Sequence, residues 1–189
     1  LTKYRVFNHN IYENCVEIGT TSRGTKMMIN REVAEADLKI TIGCVTAHPQ
    51  AGFSGGGKLI LPGVSHVDSI THYHLDVSSM DAGSTGPGKY PDNILQMEIE
   101  EAGKMAGVDF SVNIMVNARG ATTHIFAGDL TQVYHEAVKL AADHYATTPS
   151  PQNKQLAISN AFVKANEMLI AYGLGAMALK EFTGTVVVI

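Results

Sequence analysis

Lys58 is the residue on which chemistry could be built. It closes the run Gly52-Phe-Ser-Gly-Gly-Gly57-Lys58, with His48 ahead of it and His66, His72 and His74 behind it. Glycine lets the backbone take conformations closed to residues with a Cβ and lets it approach a ligand closely. A lysine in such a loop offers a cation for phosphate or a nitrogen for covalent chemistry. Histidine is the commonest metal ligand and the side chain best suited to moving protons near neutral pH. The stretch from His48 to His74 therefore reads as a site rather than a linker.

Two readings of the loop follow from the residues alone. Gly52 to Lys58 fits G-x-x-x-x-G-K of a phosphate-binding loop, which would make the chain a nucleotide triphosphatase. Against this, Leu59 stands where such a loop needs a magnesium-binding hydroxyl, and Pro62 falls where the following helix would be under way. The other reading is a glycine-rich surface turn with incidental histidines.

The wording of the stretch carries a third. His48, Ala51-Gly-Phe-Ser-Gly-Gly56, Lys58, Leu61-Pro-Gly-Val64 and His74 together resemble the signature of the nickel-dependent lactate racemase family. Gly19–Ala36 and Asp109–Asp129 look like family segments in the same order, so the resemblance spans roughly residues 5 to 145. It implies an isomerase, a racemase or epimerase of 2-hydroxy acids. Its cofactor would be nickel held in a pyridinium bisthiocarboxylic acid mononucleotide, the nickel-pincer nucleotide, joined covalently to Lys58. His74 would be the nickel ligand and His48 one of two acid/base histidines. Phe53, Ser54, Gly55, Gly56 and Pro62 would line the cofactor. The reaction implied is reversible hydride transfer through a planar keto intermediate, and the partners implied are a 2-hydroxy acid and the cofactor-synthesis enzymes.

The chain departs from the family at four positions. Gly57 stands where the family usually carries arginine, and Tyr73 where it usually carries asparagine. Leu169 and Tyr172 align with the glutamine and lysine that hold the substrate carboxylate in lactate racemases, with Lys164 nearby but out of register. The loss of the two carboxylate partners points away from lactate and towards another 2-hydroxy acid or a sugar acid, and Gly57 removes a cation from the neighbourhood of an anionic cofactor. A non-catalytic paralogue or fragment that binds an anion or nucleotide is the competing reading.

The elements that must position these residues form an α/β pattern: a mixed sheet flanked by helices, then the start of a second βαβ-type domain. Residues 1–146 read as the cofactor-binding domain without its first segment, 147–155 as a linker rich in proline and small polar residues, and 156–189 as a truncated second domain. Strands are expected at 4–8, 13–18, 26–29, 38–45, 110–116 and 122–126, and in the second domain at 156–158 and 185–189. The apolar run Leu38–Val45 predicts a strand covered on both faces, delivering the loop at its carboxyl end. Helices are expected over 67–75, from Asn93 to Ala106, over 130–145 and over 165–179, with a mobile loop across Met80–Asp92. His9 is expected in a capping or turn role and His66 as a solvated side chain.

The 189 residues are 45% hydrophobic with a net charge of −4. That balance gives no reason to expect nucleic acid. No apolar run is long enough for a membrane span, and two cysteines, Cys15 and Cys44, make no disulfide framework. A cytoplasmic enzyme is the expectation, and oligomeric state is not legible.

Overall fold

The structure is a computed structural model, and it describes residues 3–147, 154–161 and 168–189. The chain divides into two compact units, Leu1–Ala146 and Thr147–Ile189. The expected linker falls mostly outside the described residues, as does Lys164.

In the larger unit, strands β1 (Cys15–Thr20) and β2 (Lys26–Asn30) form an antiparallel hairpin. The one-turn helix α1 (Arg31–Ala34) follows, capped by the Asn30 side chain, which accepts from the Glu32 backbone N–H. The main sheet has the order β3-β6-β7: β3 (Ile40–Cys44) runs parallel to β6 (Phe110–Val116), which pairs antiparallel with β7 (Thr122–Gly128). Between β3 and β6 the chain makes a small ribbon, β4 (Ala47–His48) with β5 (Gly52–Phe53), and then the glycine loop. The helical segment α2 (Val67–His72) comes next, then α4 (Ile94–Met105). Helix α5 (Leu130–His144) follows the sheet.

Local sequence explains the helix ends. Asn93 accepts from the N–H groups of Leu95 and Gln96, and Asp129 from those of Thr131 and Gln132, so each caps its helix. Gly107 takes φ +66° just past the end of α4, the left-handed position that favours glycine.

Two buried clusters hold the unit together. Met27, Ile29, Leu61, Tyr73, Leu95 and Ile99 belong to one. Val45, Phe53, Met115, Tyr134 and Val138 belong to the other. The glycine loop passes between them. A Cβ on Gly56 would lie 2.6 Å from the Tyr134 ring of α5, and one on Gly57 would lie 2.5 Å from the Ile99 carbonyl of α4. Glycine is needed here because two helices close on the backbone.

Two expectations are overturned. No strand forms over 4–8: residues 5–10 lack regular structure, and Val6 and Phe7 are exposed. β-Propensity without a paired neighbour does not make a strand. The strand expected over 38–45 forms over Ile40–Cys44 but is covered on one face only. Thr41 is buried, whereas Ile40 is 53% and Ile42 69% exposed. The helices pack on the face that carries Val45, Asn113 and Met115. Ile40 and Ile42 instead line an open cavity of about 450 Å³ with Phe7 and Val33.

The smaller unit is a β-α-β element. β8 (Leu156–Ser159) and β9 (Thr185–Val188) pair in parallel, and α6 (Met168–Met177) packs its Gly175 against Val186 and Ser159. Leu169 and Tyr172 are 84% and 53% exposed.

Candidate functional site

Site construction starts at the end of β3. The Ser54 hydroxyl donates to the Cys44 carbonyl at 2.8 Å and accepts from the Thr46 N–H at 3.0 Å, which folds the loop back on the strand. Gly55 (φ +85°) and Gly56 (φ +54°) turn the chain there. The Gly56 N–H donates to the Asn113 side chain at 2.9 Å. Asn113 is buried on β6 and donates in turn to Ser111, which accepts from Thr41. A polar ladder across the sheet thus cradles the loop. The turn over Gly56–Leu59 is a short 3-10 helix, with the Lys58 N–H on the Gly55 carbonyl. A phosphate nest needs convergent open N–H groups, and at least two of this loop's are already used.

Lys58 projects from that turn. Its ammonium sits 6.0 Å from the centroid of the Tyr73 ring, and no carboxylate lies within ion-pair distance among the described residues. Burial pulls the amine down to about 8, because the charged form is the one that loses hydration. The Tyr73 ring in turn meets the His74 imidazole edge-on at 4.5 Å. The structure thereby brings Lys58 and His74 together around one aromatic ring.

Helix α2 continues from His72 into a π-helical segment, Tyr73–Val77, and then the short α3 (Ser78–Met80). Such bulges recur at functional sites because they re-aim a side chain. His74 Nδ1 lies 3.0 Å from the Ile70 carbonyl. A carbonyl only accepts, so Nδ1 carries the proton and Nε2 keeps its lone pair. Burial, opposed by this hydrogen bond and reinforced by the Lys58 charge, lowers the His74 pKa and favours neutral imidazole. That is the tautomer a metal ligand requires. Among the described residues no group of three or more His, Cys, Asp or Glu could hold a metal. His74 therefore has the protonation and geometry of a single metal ligand, with Nε2 as the donor atom. The surroundings of Gly57 fit the family's arginine poorly, because Ile99 closes that side.

His48 lies on β4, opposite Gly52, and its Nδ1 accepts from the N–H groups of Gln50 (3.3 Å) and Ala51 (3.1 Å). Phe53 is buried in the second core cluster, and Pro62 follows a cis peptide after buried Leu61.

The other histidines have structural work. His9 contacts the Ser65 carbonyl through Nε2 and the Asn30 side-chain amide through Nδ1. His66 is not solvated as expected: it caps α2 by accepting from the Asp68 N–H, with its side chain 17% exposed. His72 pairs with Thr25. Sequence reasoning missed Asn113 and the bond from Asn93, expected only at the start of its helix, to Gln50; both side chains are wholly or almost wholly buried. Ser111 and Asn113 alternate with apolar residues along β6, and that polar alternation was the available signal for Asn113.

Among the described residues the buried Tyr73 hydroxyl has no hydrogen-bond partner, and it lies near enough to Glu98 that burial and that carboxylate both hold its proton on. Tyr73→Phe is expected to leave stability within about 1 kcal/mol of wild type or to raise it, since an unsatisfied polar group is removed. Thermal unfolding checks this, and a loss above about 2 kcal/mol would reveal a partner for the hydroxyl.

Residues 1–86 match the family model of the lactate racemase N-terminal domain. Lactate racemase from Thermoanaerobacterium thermosaccharolyticum is 29% identical over 139 residues, which cover 74% of this chain and 32% of that protein. Lactate racemase from Lactiplantibacillus plantarum is 31% identical over 115 residues, 61% of this chain and 27% of that protein. The chain thus spans about a third or less of the curated relatives it matches. In fold, 95% of the chain matches 44% of the lactate racemase apoprotein from T. thermosaccharolyticum, with a TM-score of 0.81 at 24% identity. It also matches 50% of a Thermotoga maritima protein, with a TM-score of 0.74 at 17% identity. Among the described residues no helix is long and apolar enough to cross a membrane. With the loop signature and the fold agreeing, the chain resembles the lactate racemase family, as a partial and divergent relative whose residues 1–86 match the family's N-terminal domain.

Proposed function

We propose that this chain is the cofactor-carrying part of a racemase or epimerase acting on a 2-hydroxy acid other than lactate. The observation that carries the reading is the pairing of Lys58 and His74 about Tyr73. One offers an amine of lowered basicity with no ion-pair partner among the described residues, and the other offers a neutral imidazole with its Nε2 lone pair available. Lys58 would hold a nickel-pincer nucleotide through its amine, and His74 would complete the metal's coordination. Once bound, that group supplies the hydride acceptor that a 2-hydroxy acid needs if its carbon centre is to be inverted. The glycine loop would let the nucleotide approach the backbone, with Ser54 and Asn113 holding the loop's shape. His48 would exchange a proton or hydrogen bond with the substrate's hydroxyl oxygen. Leu169 and Tyr172, in place of a glutamine and a lysine, support a substrate whose carboxylate is held differently from lactate's.

Intact mass under denaturing conditions tests this, on the chain co-expressed with the cofactor-making enzymes. A mass increment present in wild type and lost in Lys58→Ala is expected. An unmodified chain would favour the non-catalytic reading, and the crowding at Gly57 would be its first explanation.

A further inference from the structure

The hydrogen bonds to His48 fix where its ring proton sits. Nδ1 accepts from two backbone N–H groups, Gln50 and Ala51, so it presents a lone pair and the proton of the neutral ring is on Nε2. This is the opposite tautomer to His74, whose Nδ1 donates to Ile70. A protonated Nδ1 in this turn would point its proton at two N–H donors.

The turn itself is strapped from outside. The Gln50 carbonyl accepts from the Gly86 N–H at 2.9 Å and from the Asn93 side chain at 2.7 Å, and the Gly52 carbonyl accepts from the Gly88 N–H at 3.0 Å. Gly52 has φ +76°, and a Cβ there would run into the Lys89 carbonyl, so the strap lies directly on the loop. The segment expected as a mobile loop is therefore tied to the histidine turn. Asn93 is wholly buried and spends its other atom capping α4, which joins that helix to the turn.

We infer that Asn93 and the Gly86–Gly88 strap are positioning elements that hold His48 as an Nε2–H donor. In this strapped state His48 gives a hydrogen bond to the substrate's oxygen and cannot take a proton from it. Acting as a base requires the His48–Ala51 turn to open. The ring proton then moves to Nδ1, Nε2 offers its lone pair, and the proton of the substrate hydroxyl passes to Nε2 to give imidazolium. This inference rests on the reading of His48 as a substrate-facing residue.

Long-range 1H–15N correlation spectra of the chain labelled with 15N-histidine test it, with His48→Gln used to assign the signals. Near neutral pH, His48 is expected to show protonated Nε2 and unprotonated Nδ1. A predominant Nδ1–H tautomer or imidazolium overturns the inference. Asn93→Asp keeps the capping oxygen but sets a carboxylate oxygen against the Gln50 carbonyl in place of the donor, which loosens the turn, so a second tautomer of His48 is expected to appear. An unchanged His48 pattern in that folded variant overturns the role of the strap. Should Asn93→Asp not fold, wild-type amide exchange decides: protected Gly86 and Gly88 N–H groups support the strap, and exchange at open-loop rates overturns it. The tautomer does not depend on a bound cofactor. An unmodified Lys58 with His48 as Nε2–H would sink the racemase reading alone, and a modified Lys58 with the other tautomer would sink this inference alone.

Discussion

Gly57→Ala is expected to destabilise the larger unit by about 2–4 kcal/mol, the upper range for forcing atoms into a packed interior. The added Cβ would sit 2.5 Å from the Ile99 carbonyl and 3.0 Å from that residue's side chain. A flexible side-chain end could swing away, but a carbonyl in the middle of α4 cannot move without disturbing the helix ladder. Gly103 one turn further on approaches the loop closely as well, its own Cβ direction 3.3 Å from the Gly57 Cα. Helix and loop therefore meet backbone to backbone, and the helix would have to shift as a body. Gly57→Arg, which restores the residue usual in the family, is expected to cost more still. Gly83→Ala is the control: its Cβ would meet nothing nearer than 3.4 Å and its φ is not left-handed. It is expected within about 0.5 kcal/mol of wild type or slightly above it. Urea unfolding of the three variants measures the differences. Gly57→Ala as stable as wild type would mean that α4 and the loop can separate, and that the missing arginine reflects selection rather than space.

That packing shows why part of the site was legible in the sequence and part was not. Lys58, His74 and the glycines announce themselves by type and spacing, because each chemistry demands a particular side chain. The helix over 94–105 and the two strands that meet at the turn Asn117–Gly120 were legible for a related reason: Asn93, Asn117 and Gly120 are local devices that act within a few residues. What escaped depends on partners far away in sequence. Asn113 reaches Gly56 across 57 positions and Asn93 reaches Gln50 across 43, and no local pattern links such pairs. The coverage of β3 escaped for the converse reason. An apolar run states what a strand can bury, and the neighbouring elements decide what it does bury.

Lys58 is expected to be the most readily acylated lysine of the chain, with a rate that rises through an inflection near pH 8. Burial places its amine at about 8, against roughly 10.4 for an ordinary lysine. At pH 7.4 roughly a fifth of it is then unprotonated, some two hundred times the fraction of a solvent-exposed amine. Lower basicity also weakens a nucleophile, which offsets part of that advantage and leaves a net gain on the order of tens-fold. Peptide mass spectrometry after brief acetylation at a series of pH values measures it, with exposed Lys104 as the internal reference. Equal rates for Lys58 and Lys104 across the series would remove the basis for covalent chemistry at this lysine. The sign of the effect on stability follows from the same shift. The folded-state pKa lies below the unfolded one, so between about pH 8 and 10.5 the unfolded chain binds more protons, and stability rises with pH through that window. At neutral pH the buried ammonium is a destabilising contribution, and Lys58→Met is expected to raise the unfolding temperature there. Acylation removes the same charge, so joining the amine to a cofactor would relieve the penalty that the buried ammonium carries. A lysine kept at a cost to the fold is the pattern of a residue retained for its chemistry.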